Sequence, residues 1–285
     1  MIQKFKNNVL TRKNDKNILI DYFFKKNNQR KPIVIFCHGY KGFKDWGAWD
    51  LVAEAFAKAD CFFVKFNFSH NGGTMEQPID FPDLQAFGEN NYTRELNDLQ
   101  YVLDYITNNN FAFSAEVNTQ KISLIGHSRG GGIVTIKAAE ASEVSTVISW
   151  AGVCDYASRF PKEEAFLNWK NSGVYHVING RTKQEMPHFY QFFEDFQANA
   201  ERLDIQRATK KLQIPHLIIH GTTDPAVPVE EAQKLHQWNP NSKLHLIENA
   251  DHVFSARHPW NKTELPKDLA IAANTTIQFI KKSTT

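Results

Sequence analysis

From Lys121 to Lys137 the chain reads Lys-Ile-Ser-Leu-Ile-Gly-His-Ser-Arg-Gly-Gly-Gly-Ile-Val-Thr-Ile-Lys, an apolar run that meets Gly126-His127-Ser128-Arg129-Gly130 and continues with helical spacing. This order predicts a strand, a sharp turn and a helix. The residue at the apex of so tight a turn is held in a strained backbone conformation, and its neighbours two positions away must be small because strand and helix nearly touch there. Gly126 and Gly130 meet that demand. Such a turn lifts the Ser128 hydroxyl out of the C-terminal edge of a sheet, while the first amides of the helix face whatever negative charge develops beside it. A Gly-rich turn with an incidental serine would satisfy the five residues alone; the flanking strand and helix argue for an exposed, activated serine.

Strand and helix signals alternate around this stretch, which predicts an α/β fold with a mostly parallel, doubly wound sheet. Upstream, Ile2 to Leu10 and Asn17 to Phe24 alternate polar and apolar positions about Asn14-Asp15, the pattern of an antiparallel hairpin. Lys31 to Cys37 is a continuously apolar strand of the kind buried on both faces. Gly47 to Ala59 has helical spacing with Asp45 as a possible cap, and Cys61 to Asn67 is the next strand. Asn67 to Phe87 is a long loop on the sheet edge that lines ligand crevices in open α/β sheets, so His70 and Asn71 are candidates either for substrate contact or for a solvated turn. Asn91 to Thr107 is an amphipathic helix, and Val144 to Trp150 follows the central stretch as another strand.

Between Trp150 and Pro215 no strong strand signal occurs over far more chain than one crossover helix needs. The segment is dense in rings, among them Phe160, Trp169, Tyr175, Phe189, Phe192 and Phe196. Residues 155–210 therefore read as a helical cap insertion in a core made of 1–154 and 211–285, with one or two of its aromatics lining a pocket. The remaining order is a strand from Pro215 to His220, a helix from Val229 to Trp238, a strand from Lys243 to Glu248 and a last helix from Lys267 to Lys281.

Composition removes several function classes. The 285 residues are 42% hydrophobic and 13% aromatic, ample for a large core, and 22% charged, ordinary for a soluble protein. A net charge of +2 with interleaved signs leaves no footprint for nucleic acid or an acidic membrane. No stretch approaches the roughly 18 apolar residues of a membrane span, and the first residues lack an apolar region of signal-peptide length. Three cysteines, Cys37, Cys61 and Cys154, suggest no disulfide framework. A cytoplasmic location is the expectation, which makes the sequons at Asn91 and Asn261 chance matches.

Gly126-His127-Ser128-Arg129-Gly130 matches the G-x-S-x-G nucleophile elbow, and here the chain resembles the α/β-hydrolase superfamily. Further on, a strand running into Gly221-Thr-Thr-Asp224-Pro-Ala-Val-Pro228, then one helix, one strand and Asp251-His252, is similar to dienelactone-hydrolase-like and prolyl-oligopeptidase-like members. Serine at its free pKa is a poor nucleophile and needs a base to take its proton and a carboxylate to orient that base. Ser128, Asp224 and His252 supply these in the chain order expected of the fold. Asp155 and Asp251 are rivals for the acid; Asp155 enters the cap segment, and Asp251 is too close in sequence to bond the ring of His252 easily. The strand ending in His38-Gly39 resembles the family's oxyanion loop, which implies that the backbone N–H of Tyr40 is one oxyanion donor and that of Arg129 the other. The Arg129 guanidinium is expected to pair within the protein or to face solvent. The resemblance implies a serine hydrolase of small-molecule carboxylic esters that uses no metal or organic cofactor. A serine peptidase acting on short peptides is the enzymatic alternative, and a non-catalytic binding protein of the same fold is the alternative of another class.

Overall fold

The computed structural model describes residues 1–283. Its elements in chain order are β1 (Ile2–Leu10), β2 (Ile18–Lys25), β3 (Lys31–Cys37), α1 (Trp49–Lys58), β4 (Phe62–Phe66), α2 (Leu84–Glu89), α3 (Tyr92–Thr107), β5 (Val117–His127), α4 (Arg129–Glu140), β6 (Val144–Trp150), α5 (Glu163–Ser172), β7 (Val174–Ile178), β8 (Glu185–Phe189), α6 (Gln191–Ala198), α7 (Ile205–Lys211), β9 (His216–Gly221), α8 (Val229–Trp238), β10 (Lys243–Ile247) and α9 (Lys267–Ser283). Eight strands form one sheet in the order β1-β2-β4-β3-β5-β6-β9-β10. β1, β2 and β4 pair antiparallel, and every pairing from β4 to β10 is parallel. The expected hairpin and doubly wound sheet are therefore both present.

Two covered faces explain the continuously apolar strands. Along β3, Ile33 and Ile35 enter one core with the apolar stripes of α3, α4 and α8, while Val34 and Phe36 enter a second core with α1 and α9. Successive side chains point to opposite faces, so a strand sandwiched by helices must be apolar at every position. Parallel order carries the C-terminal ends of β3, β5, β6 and β9 to one edge, and the loops leaving that edge hold the site. Among the described residues no helix is long and apolar enough to cross a membrane.

Two local expectations are corrected. Asp45 does not cap a helix: α1 starts after Ala48 with no side-chain cap. Its carboxylate instead lies 2.6 Å from Lys44 and 2.7 Å from Lys65, whose side chains are fully buried beside Asp21. An unpaired buried ammonium is far costlier than an uncapped helix end, so the carboxylate goes to the lysines. The segment between β6 and β9 is also not helical throughout, because β7 and β8 form a separate antiparallel pair with Pro187 opposite His176. Each strand is short and one contains proline, so the alternation is weak in sequence. The hairpin packs Tyr175 edge-on against Trp169 of α5 at 4.7 Å, a tertiary contact that periodicity does not report.

Candidate active site

β5 ends at His127 and α4 starts at Arg129, which leaves Ser128 alone to make the turn, at φ 56° and ψ −120°. The closeness of strand and helix accounts for both glycines. A Cβ on Gly126 would lie 2.0 Å from the Gly130 carbonyl oxygen, and one on Gly130 would lie 2.5 Å from the oxygen of Cys37. Gly126→Ala is expected to cost about 3 kcal/mol or more as overpacking against rigid backbone, which at about 2–4 °C per kcal/mol lowers the melting temperature by roughly 6–12 °C. Unchanged thermal melting of that variant would show that the turn is not this tight.

The loops after β9 and β10 bring Asp224 and His252 together. Asp224 Oδ1 accepts from the amides of Ala226 and Val227, and Oδ2 accepts from His252 Nδ1 at 2.7 Å. A second ring, that of His220, stands 3.3 Å from the same Oδ2 through its Nε2. Burial by itself would raise the Asp224 carboxyl, but the hydrogen bonds from His220, His252 and the Val227 amide outweigh it and hold the group well below the usual carboxylate range. With Nδ1 donating to the carboxylate, the His252 ring has Nε2 as its acceptor nitrogen. The rivals are engaged elsewhere: Asp155 closes a turn by accepting from Ala157 and Ser158, and Asp251 accepts from Val253 and Ser255. Ser128 and His252 border the same cavities. Among the described residues Ser128 Oγ makes no hydrogen bond to His252, and catalytic contacts of this kind tighten as substrate binds.

The loop after β3 passes directly over the elbow, where a Cβ on Gly39 would meet Ser128 Cβ at 2.9 Å. His38 shapes this loop, its Nδ1–H donating to the Gly39 carbonyl and its Nε2 accepting from the Phe68 amide. Burial lowers the His38 pKa to about 4, so this neutral tautomer holds over the working range of pH. The Tyr40 amide is not engaged in a backbone hydrogen bond among the described residues. As the first residue of α4, Arg129 has an amide with no intrahelical acceptor. Its guanidinium is paired inside the protein, 3.3 Å from Glu95 and stacked 4.6 Å from the centre of the Tyr40 ring.

A cavity of about 460 Å³ opens over Ser128, lined by Tyr40, Tyr92 and, from the segment between β6 and β9, by Tyr156, Phe160, Tyr175 and Phe192. A smaller one of about 130 Å³, walled by Trp46, Trp49 and Val253, meets it at Ser128 and His252. His70 and Asn71 take no part in either. His70 bonds to Ser69 Oγ, and Asn71 bridges the Gly42 carbonyl and the Gly73 amide, so both are buried loop fasteners rather than substrate contacts or solvated residues.

Three contributors escaped the sequence. His127 Nε2 donates to the backbone oxygen of His252 at 2.8 Å and pins the loop that carries it. Burial and the nearby His252 drop the His127 pKa to about 3. His188 on β8 accepts from the Tyr40 hydroxyl at 2.9 Å, its other nitrogen donating to the Met186 carbonyl, and so ties the β7–β8 hairpin to the loop over the elbow. Glu95, on the buried, mostly apolar face of α3 that also carries Asp98, is the buried partner of Arg129, and burial raises its carboxyl despite the pairing. A carboxylate at a core position of an amphipathic helix was the one available signal. Away from the site, Asp21, Asp45 and Asp50 are close enough together to hold a cation, but Lys65 already ion-pairs with all three.

Comparison with known proteins adds three kinds of likeness. A family model described as BD-FAE matches residues 20–239. The structure resembles that of ferulic-acid-bound Est1E from Butyrivibrio proteoclasticus with a TM-score of 0.72, at 20% sequence identity over 94% of this chain and 96% of that one. It resembles α/β hydrolase domain-containing protein 10 from mouse with a TM-score of 0.69, at 18% identity over 96% and 98% of the two chains. In sequence, the human serine hydrolase BPHL is 26% identical over 170 residues, which are 52% of this chain and 54% of that protein.

Proposed function

The chain belongs to the BD-FAE family and has the α/β-hydrolase fold, and from that premise we propose that it hydrolyses carboxylic esters of small molecules through Ser128, His252 and Asp224. The observation that carries this reading is the conjunction at one cavity of a serine held at φ 56° between strand and helix and a histidine bonded at 2.7 Å to a buried aspartate. His252 Nε2 takes the Ser128 proton as Oγ bonds to the acyl carbon. The amides of Tyr40 and Arg129 hold the negative oxygen that results. Collapse of this intermediate breaks the bond to the alcohol oxygen, which leaves with the proton from His252. Water, deprotonated by the same ring, then releases the acid and restores Ser128. No step calls on a metal or an organic cofactor.

Residues 155–210 serve in this reading as the cap of the pocket, since Tyr156, Phe160, Tyr175 and Phe192 of this segment line the cavity over Ser128. Similarity to proteins whose names record serine hydrolase and bound ferulic acid supports a small-molecule ester as substrate. Three buried, unpaired thiols suit a reducing compartment such as the cytoplasm. The test is a fluorophosphonate probe together with 4-nitrophenyl esters of rising chain length and aminoacyl 4-nitroanilides. Labelling of the protein and turnover of the esters are expected. Turnover of the anilides alone would favour a peptidase, and neither labelling nor turnover would leave a binding protein.

A further inference from the structure

Three cationic side chains, Lys41, Arg129 and Arg159, border the cavity over Ser128, and among the described residues no carboxylate does. Two of the cations are neutralised within the protein, Arg129 by Glu95 and Arg159 by Glu231. Lys41 is different. Among the described residues no carboxylate lies within ion-pair distance of its ammonium, which rests 5.0 Å from the centre of the Tyr40 ring. Its backbone stands at φ 50°, a left-handed conformation that costs a non-glycine residue and that persists where surrounding structure holds it, often at ligand-binding loops. Lys41 borders both cavities that meet at Ser128 and His252. Half-buried there, the ammonium is partly stripped of water, which lowers its pKa, and an anion beside it would offset that loss.

We propose that the substrate carries a second, free carboxylate, so that the protein hydrolyses monoesters of dicarboxylic acids with Lys41 as the residue that binds the free carboxylate. This rests on the serine-hydrolase reading of the same site. Lys41 directly follows Tyr40, whose amide faces the acyl oxygen in that reading, so the ammonium reaches a group on the acyl side. The aromatic walls hold the intervening carbon chain by burying its surface. The bonds that change are those of ester hydrolysis: the acyl carbon loses the alcohol oxygen and gains the oxygen of water. A dicarboxylate and an alcohol leave.

The experiment compares mono-4-nitrophenyl adipate with 4-nitrophenyl hexanoate, which differ only in a terminal carboxylate against a terminal methyl. In the wild type kcat/KM should favour the adipate by about tenfold to a hundredfold, the worth of one hydrogen bond between charged groups. Lys41→Met should erase that preference and Lys41→Arg should keep most of it. Calorimetry on Ser128→Ala protein, with monoethyl adipate against ethyl hexanoate, reads the same discrimination without chemistry. Ester turnover with no preference in the wild type, or with a preference untouched by Lys41→Met, overturns the subsite and leaves the hydrolase standing. Lys41-dependent binding of the adipate without turnover of either ester supports the subsite and overturns the hydrolase.

Discussion

Replacing Ser128 with alanine is expected to lower ester turnover by on the order of a million-fold and to abolish labelling by a fluorophosphonate. That is the scale at which a serine and its base act as one unit, so that removing either removes nearly all of their joint effect. The residue stands at φ 56° between β5 and α4, and its loss touches no core contact, so the variant should melt within a few degrees of the parent. Full probe labelling of Ser128→Ala would place the nucleophile elsewhere. A loss of turnover accompanied by a large drop in melting temperature would instead mark Ser128 as a structural residue of the turn.

Asp224→Asn is the second large effect, a fall in turnover of roughly ten-thousand-fold. Asparagine preserves shape, but its amide nitrogen can turn toward His252 Nδ1, which then no longer donates, and the proton moves to the nitrogen that must act as base. The same substitution at Asp155 or Asp251 should matter far less, because those carboxylates close local turns and do not face the ring. If Asp155→Asn proved the more damaging of the three, the orienting acid would move to the loop after β6. The Asp224 carboxyl is held below its ordinary range in the folded protein. Its pairing therefore contributes stability above the unfolded-state pKa, and that contribution fades as pH falls toward the folded value. In the asparagine variant this part of the acid destabilisation should be missing from melting curves taken across that range.

Much of the architecture was legible because it is local. The double apolar character of Lys31 to Cys37 could only be a strand with both faces covered, and the clusters around Ile33 and Val34 lie on opposite sides of the sheet accordingly. The Gly126-x-Ser128-x-Gly130 spacing required a strand-to-helix turn, and Asp224 and His252 each followed a strand in a parallel sheet, which delivers such residues to one edge. Sequence order thus brought Asp224 to His252 before any distance was known.

What the tertiary structure decided is which polar groups find each other across the fold. Asp45 could have capped α1 by its position, yet two buried lysines claim it. His127 looked like the variable residue of a motif, yet its ring holds the backbone of His252. His188 lay in a segment read as helix, yet it joins a hairpin to the loop after β3 through Tyr40. Hydrophobic periodicity reports which face of an element is buried, since burial scales with area and repeats along the chain. A hydrogen bond or ion pair depends on a single partner at about 3 Å, and its free energy exists only once the surrounding chain has excluded water. That partner is set by the folded geometry.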